Sequence, residues 1–290
     1  MGQMKFKKQL LLYMVPAFLI YSIFFIIPFI QTIYYSAFKW NGFGKPVFIG
    51  LENYKQLIHD DLFLDGLGRI LIWALFAVIF KVGLALILAS ILRKPIKGSK
   101  FFTGVYFMPM VLSTAAIALM FTLMYDMNVG PVNWFLTFIG LEDLTRPWLG
   151  DSSTALYAVI SVPIFHTVGF FFVILLAGLK NIPEEYYESA VIDGANAWNA
   201  FTKITIPQIW SVLQICIILA IIAAMKNFDY VFIMTGGGPG TSTEVPATYM
   251  YKSIFTAFQY GYGTSIAISI TLFSIAIVVL FRSFTNFKTN

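Results

Sequence analysis

Residues 180–207 read KNIPEEYYESAVIDGANAWNAFTKITIP, a polar stretch between two long apolar runs. It holds too many charged and amide side chains to cross a bilayer, because each would have to leave water. A helix that spans a membrane needs about 20 apolar residues, and both flanking runs reach that length. The stretch therefore predicts a membrane protein with an ordered polar loop between two of its spans.

Local signals predict two short helices within this loop. Pro183 suits a first helical position, with acidic groups after it that complement a helix N-terminus. Gly194 permits a sharp reversal, and Asn196 is placed to cap the second helix. Pro207 then restarts the next membrane run at a helix N-terminus. Helical spacing assigns the apolar faces to Tyr187, Ala190 and Val191 in the first helix and to Ala197, Phe201 and Ile204 in the second.

The same residues carry a family resemblance. Glu188-Ser189-Ala190, then Gly194, then Ile204-Thr205-Ile206-Pro207 resembles the EAA loop of binding-protein-dependent ABC importer permeases. That signature is EAA, three residues, G, nine residues and I-x-L-P; Ser189 stands for its Ala and Ile206 for its Leu. We call residues 180–207 the coupling loop. The resemblance implies that it binds a partner ATPase through Glu188, Ser189, Ala190, Asp193, Gly194, Ile204 and Pro207. The alternative is an amphipathic connector that lies on lipid.

Composition places the whole chain in the membrane class. Of its 290 residues, 59% are hydrophobic and 11% charged, which is too little charge for a soluble domain. Six runs are long enough to span, at about 10–37, 70–92, 103–126, 154–179, 207–227 and 264–284. The predicted fold class is therefore all-α integral membrane with six transmembrane helices. The resemblance implies the type I ABC importer transmembrane-domain fold over residues 10–290, after a cytoplasmic N-terminus of residues 1–9.

The net charge of +5 reports topology and does not indicate nucleic-acid binding. Basic residues gather before the first span, between the second and third, around the coupling loop and at the C-terminus. The acidic residues lie mostly in the alternate loops. Positive residues favour the cytoplasmic side, so both termini and the coupling loop are predicted to be cytoplasmic. The single cysteine, Cys216, cannot form an intrachain disulfide.

Three further motifs support the resemblance to sugar-type permeases. The segment Phe48–Tyr54 is similar to the FxGLxNY motif after their first span, and Gly130–Asn133 to the G-x-x-N turn after the third. Residues 234–239, MTGGGP, resemble the L-T-x-GGP loop of the first of two paired permeases. A phosphate-loop interpretation of this glycine cluster fails, because no Gly-Lys-Ser/Thr follows.

Two sets of polar residues inside the spans are candidates for function. Lys81 lies well within the second span, where an ionisable group is costly. It is either a functional group or a bundle-facing lysine that pairs with a carbonyl or reaches water. The resemblance further implies that four residues fall where the maltose-type permease contacts its sugar: His166, Thr167, Phe170 and Asn227. Only Asn227 keeps the family's residue type, which speaks against maltose itself and leaves a sugar as the expected solute class. Ordinary packing is the alternative.

The predicted function is that of a permease subunit, not an enzyme. It forms half of the translocation pathway for a sugar or oligosaccharide in the membrane of a bacterial cell. The resemblance implies a second permease, two ATP-binding cassette subunits that hold ATP and Mg²⁺, and an extracytoplasmic solute-binding protein as partners. This chain itself binds no cofactor or metal and has no catalytic residue. An ion-gradient-driven secondary transporter is the alternative, but it needs intramembrane acids, and the acids here lie in loops. An intramembrane enzyme would need a nucleophile or metal cluster, which two histidines do not supply.

Overall fold

The computed structural model describes residues 14–93 and 97–286. The predicted N-terminal segment 1–9, the first residues of the first span and the last four residues of the chain lie outside the described residues. The described residues contain two short strands, thirteen helices and two short 3₁₀ turns, Met108–Val111 and Glu142–Leu144, and the all-α prediction is confirmed. The strands are β1 Phe38–Lys39 and β2 Val47–Phe48. In chain order, the helices are α1 Met14–Ser36, α2 Glu52–Leu57, α3 Asp61–Leu92, α4 Ser99–Phe107, α5 Thr114–Met124, α6 Pro131–Phe138, α7 Ala155–Lys180, α8 Glu185–Ile192, α9 Ala197–Gln208, α10 Trp210–Met225, α11 Asp229–Met234, α12 Pro246–Phe255 and α13 Tyr260–Asn286.

Four of the described helices are long and apolar enough to cross a membrane without interruption: α1, α3, α7 and α13. Two further spans would each be a bent pair of helices, which brings the number to six. One pair joins Phe101–Val111 to α5 with a bend of 94°, and the other joins α9 to α10 with a bend of 76°. The predicted third span, 103–126, is thus a broken helix and not a continuous one.

The break in the third span follows from its local sequence. Pro109 is the second residue of the 3₁₀ turn Met108–Val111, and Leu112 then has an extended backbone. Ser113 caps the new helix, because its Oγ accepts a hydrogen bond from the backbone N–H of Ala116 at 3.2 Å. Each half is therefore a separately started helix.

The chain divides into two compact units, the first of which comprises the described residues up to Asp60 with Tyr249–Leu272. Here the FxGLxNY motif organises the corner after α1. The Asn53 side chain donates to the carbonyls of Ser36 and Phe38 at 2.8 and 3.0 Å, and the Tyr54 hydroxyl donates to Ser36 Oγ. These bonds hold the antiparallel strands β1 and β2 beside α2. In the same unit, the hydroxyls of Tyr249 and Tyr262 both donate to Asp60 Oδ2, at 2.6 and 2.5 Å.

The second unit comprises Asp61–Thr248 with the described residues from Phe273 onward. One apolar cluster joins α3, α5, α7, α10 and α11 and includes Trp73, Ile117, Ile160 and Val231. A second cluster joins the later turns of α3 and α7 to α10, through residues such as Ala85, Leu175 and Cys216. The coupling loop packs on this second cluster through Tyr187 and Phe201, so its position depends on the ends of three long helices.

The two loops that resembled family turns are both closed by internal hydrogen bonds. The Asn133 side chain donates to the carbonyls of Met127 and Arg146 and accepts from Trp148 Nε1 at 2.7 Å. In the glycine-rich loop, the Thr243 hydroxyl donates to the Gly238 carbonyl at 2.8 Å and lies 2.7 Å from the Thr235 hydroxyl. These bonds give both motifs a structural role.

Candidate functional site

The first helix of the coupling loop, α8, ends in a glycine turn as predicted. Gly194 has φ +74°, a left-handed conformation that costs glycine little. The N–H of Ala195 bonds to the carbonyl of Ala190 at 2.8 Å, and that of Gly194 to Val191 at 3.1 Å. This is the Schellman pattern that closes a helix C-terminus. The start of α8 differs from the prediction: Glu184 is the N-cap, so Pro183 precedes the helix instead of occupying its first position.

The second helix, α9, starts as predicted but continues further than expected. The Asn196 side chain caps it by accepting from the N–H of Asn199 at 2.8 Å. The backbone hydrogen bonds of α9 take the π-helical pattern at Phe201–Thr205, and Pro207 then lies in the last turn of α9. The chain bends at Ile209, after which α10 begins. The prediction that Pro207 opens the fifth membrane helix is therefore wrong, because the bend follows Pro207.

Large apolar side chains stand exposed on this polar loop. Ala190 is buried and Tyr187 half-buried, as their predicted face requires, but Val191 is 73% exposed. Ile192 and Trp198 are 86% and 70% exposed. Large apolar side chains exposed together on a polar loop suit a surface that binds a partner. The loop therefore presents an apolar edge on either side of the Gly194 turn.

The structure places the predicted coupling residues on the two short helices. Glu188, Ser189 and Ala190 lie on α8, and the Ser189 hydroxyl bonds back to the Glu185 carbonyl at 2.8 Å. Glu188 and Asp193 are exposed. On α9, Ile204 is half-buried and Pro207 is exposed. The turn at Gly194 brings these two groups of residues into one compact knob.

A contact that no sequence pattern indicated ties this knob to α3. The Nη2 atom of Arg93, just after α3, lies 3.1 and 3.2 Å from the two carboxylate oxygens of Glu184. Its guanidinium carbon lies 3.5 Å from the centroid of the Tyr187 ring. The Tyr187 hydroxyl in turn lies 2.9 Å from the Thr205 hydroxyl on α9. Arg93 and Glu184 are 91 positions apart, which is why spacing could not reveal the pair.

A groove of about 800 Å³ runs between the knob and the ends of α3 and α7. Its walls are mainly apolar, with Ile91, Ala197 and Phe201 among them, and Arg93, Glu184 and Glu188 supply its charges. The groove adds concave surface beside the exposed apolar edge, and a partner helix or side chain can fill it.

His166, predicted as a solute contact, is buried and bonded at both ring nitrogens. Nε2 lies 3.2 Å from the Leu112 carbonyl, which can only accept, so this nitrogen carries the proton. Nδ1 then accepts from the Tyr230 hydroxyl, at 2.6 Å. His166 thus connects α7 to the break in the third span and to α11. With both nitrogens engaged by protein, His166 would have to exchange a partner in order to bind solute.

The other three predicted contacts are more accessible. Thr167 and Phe170 lie one turn apart on α7, both half-buried, and the Thr167 hydroxyl donates to the Pro163 carbonyl at 2.7 Å. Asn227 follows the end of α10, three positions before Tyr230, and is also half-buried. The His166–Tyr230 bond brings the segment that holds Asn227 to the segment that holds Thr167. An aromatic face, a hydroxyl and an amide are groups that suit a sugar.

Lys81 lies in a π-helical turn of α3, Ala77–Val82, and is buried. Its Nζ lies 5.6 Å from the centroid of the Phe171 ring on α7, a cation–π distance. The three salt bridges formed within the described residues do not include it. Lys81 therefore faces the interior of the bundle, where ring contact replaces part of its hydration.

Comparison with known proteins gives a consistent result. Residues 81–287 match the profile of the family described as "Binding-protein-dependent transport system inner membrane component". The chain is 37% identical to the probable ABC transporter permease protein YurN of Bacillus subtilis, over 96% of this chain and 95% of that protein. It is 34% identical to the diacetylchitobiose uptake system permease protein NgcF of Streptomyces coelicolor, over 92% of this chain and 80% of that one. Its fold is similar to that of a chain of a bacterial ABC transporter that imports the acidic polysaccharide alginate. The TM-score is 0.86 and the identity 22%, over 100% of this chain and 99% of that one.

Proposed function

Because the chain belongs to the family of binding-protein-dependent transport system inner membrane components, we propose that it forms half of the pathway of an ATP-driven importer for a sugar or oligosaccharide. As a member of this family it is a transport permease of the inner membrane and not an enzyme. Relatives that match nearly its whole length are named as an ABC transporter permease and an uptake system permease, and not as ion-driven carriers.

The observation that carries the proposal is the exposed apolar edge of the coupling loop. The chain has no phosphate loop, so the energy of ATP must reach it through contact with another subunit. Val191, Ile192 and Trp198 form the surface best suited to such contact, because burying them removes apolar area from water. The charge pattern supports a cytoplasmic position for this loop and both termini, on the side of the membrane where ATP is present.

The proposed assembly has a second permease, two ATP-binding subunits that carry ATP and Mg²⁺, and a binding protein outside the membrane. ATP and the loaded binding protein each bind one conformation better and so shift the equilibrium between inward-facing and outward-facing states. Glu188 and Ala190 shape the contact with the ATPase, Gly194 makes its turn, and Ile204 and Pro207 pass its movement to α10.

The solute class rests on the relatives and on the chemistry inside the bundle. NgcF is named for the uptake of diacetylchitobiose, a sugar. In this chain Phe170 offers an aromatic face for the C–H side of a sugar ring, while Thr167 and Asn227 offer hydrogen bonds to hydroxyls. His166 orients this region through its hydrogen bond to Tyr230. When it exchanges one of its two protein partners, it also bonds to solute.

Co-purification tests the ATPase contact directly. We expect Trp198→Ser to lose the ATPase subunit, because truncating a tryptophan hot spot costs about 2 kcal/mol, or about thirtyfold in Kd. Trp134→Ser on α6 is the matched control, since Trp134 is similarly exposed but lies on another loop. Equal recovery of the ATPase with both variants would contradict the proposed contact. Solute uptake by the chain alone, driven by an ion gradient, would remove the importer function altogether.

A further inference from the structure

Arg93 joins two parts of the molecule that the chain does not connect directly. The coupling loop is covalently continuous with α7 on one side and α10 on the other, and α3 meets it only by packing. The Arg93 guanidinium bridges this gap, because Nη2 bonds to both Glu184 oxygens while the guanidinium carbon lies over the Tyr187 ring. Both partners sit at the start of the loop, one at the N-cap of α8 and the other in its first turn.

The contact extends from the first coupling helix to the second. Tyr187 lies under Arg93 and also bonds through its hydroxyl to Thr205, which is buried in the π-helical turn of α9. One aromatic side chain thus links the end of α3, the first helix and the second helix. Arg93 is therefore in contact with the first short helix directly and with the second through the Tyr187 ring.

The energetics indicate a positional role for Arg93 rather than a stabilising one. Its side chain is 10% exposed whereas that of Glu184 is 62% exposed, and an ion pair with so exposed a carboxylate contributes little to stability. Its other terminal nitrogen, Nη1, is buried without an acceptor among the residues that the structure describes, which is unfavourable. What the contact supplies is geometry: a flat cation that lies over the Tyr187 ring while one of its nitrogens reaches Glu184, which a lysine does not reproduce.

We propose that Arg93 is a positioning residue for energy transfer, which makes α3 move with the coupling loop when the partner ATPase displaces the loop. The second apolar cluster then carries this movement on, because the last turns of α3 pack against α7 through residues such as Ala89 and Leu175. This inference rests on the proposed function, since it assumes an ATPase that acts on the loop.

The test uses the whole transporter in lipid nanodiscs, with both permeases and the ATPase subunits. ATP hydrolysis is measured alone and with the binding protein as purified, carrying the solute that it retains. In Arg93→Met we expect the ratio of stimulated to basal hydrolysis to fall about fivefold or more, the lower end of typical coupling factors. Assembly and the KM for ATP stay unchanged. We expect Arg93→Lys to have a ratio close to that of Arg93→Met. Arg282→Met, which removes a basic side chain near the end of α13, is the control and keeps the wild-type ratio.

Further variants keep the test decisive if Arg93→Met fails to assemble. Glu184→Gln changes an exposed residue and lowers the ratio without affecting folding. The exchange of Arg93→Glu with Glu184→Arg restores part of the ratio lost in Arg93→Glu alone, because it re-forms the ion pair between the end of α3 and the coupling loop. A wild-type ratio in assembled Arg93→Met or in Glu184→Gln overturns the inference, whereas a wild-type transporter without stimulated hydrolysis overturns the proposed function instead.

Discussion

Substitution of Gly194 isolates the conformation of the coupling turn from its packing. Its φ of +74° is one that L-residues rarely adopt, and no atom lies within 4 Å of the position that a Cβ would occupy. A new side chain therefore meets open space, and backbone strain is the main effect. Substitutions at Gly194 therefore change the backbone strain and leave the packing contacts almost unchanged.

The magnitude follows from the cost of left-handed backbone. One L-residue in this region costs about 1–2 kcal/mol, and a β-branched residue more. A cost of that size lowers the population of the intact turn about five- to thirtyfold, because about 1.4 kcal/mol is a factor of ten. Asparagine adopts the conformation more readily than other non-glycine residues. We therefore expect intact turn to decrease in the order glycine, asparagine, alanine, valine.

The assay combines two measurements on each variant. Stimulated ATP hydrolysis by the assembled transporter should follow the order given, with Gly194→Val the least active and Gly194→Asn near the wild type. Thermal unfolding of the isolated chain should barely change, because the turn lies outside both apolar clusters. Wild-type stimulation in Gly194→Val, or an equal loss in Gly194→Asn and Gly194→Val, would refute the reasoning from backbone strain.

Two other predictions concern packing and protonation. A Cβ at Gly169 would collide with the backbone of Tyr106, so Gly169→Ala should lower the free energy of unfolding by about 1–3 kcal/mol. Gly83→Ala on α3 is the control, because a Cβ there meets no atom. Chemical denaturation of the two variants in detergent compares their free energies of unfolding. The backbone N–H and the hydroxyl of Ser153 bond to Asp151 and hold the pKa of that carboxyl below its ordinary value. Because this pKa is lower in the folded state, the ionised carboxyl stabilises the fold above the unfolded-state pKa of about 3.9. This stabilisation is lost as the pH falls. The Tm difference between wild type and Asp151→Asn should therefore shrink below about pH 4.

Much of the coupling loop was predictable from residues close together in the chain. The turn at Gly194 and the cap at Asn196 both appear as predicted, because each depends on the conformational preference or reach of one residue. The burial of Ala190 follows helical spacing. The exposure of Val191 does not: Tyr187 on the same predicted face packs on the second apolar cluster, whereas Val191 is 73% exposed.

The candidate solute site was less predictable, because its residues meet through tertiary contacts. Depth in the span and the resemblance both predict His166, but its bonds to Leu112 and Tyr230 join segments 54 and 64 positions away. Periodicity carries no information about such pairs. The assignment of His166, Thr167, Phe170 and Asn227 to solute binding stays a prediction.

The amino-acid sequence by itself determined which segments are long and apolar enough for the membrane, which loop is polar, and where short helices start and turn. These properties depend on transfer free energies and local propensities, which act within one turn or one run of residues. Only the tertiary structure decided that the third span bends by 94°, that Pro207 precedes the bend between α9 and α10, and that Arg93 contacts Glu184. Such features depend on which distant surfaces pack together, and packing is settled by the whole set of helices at once.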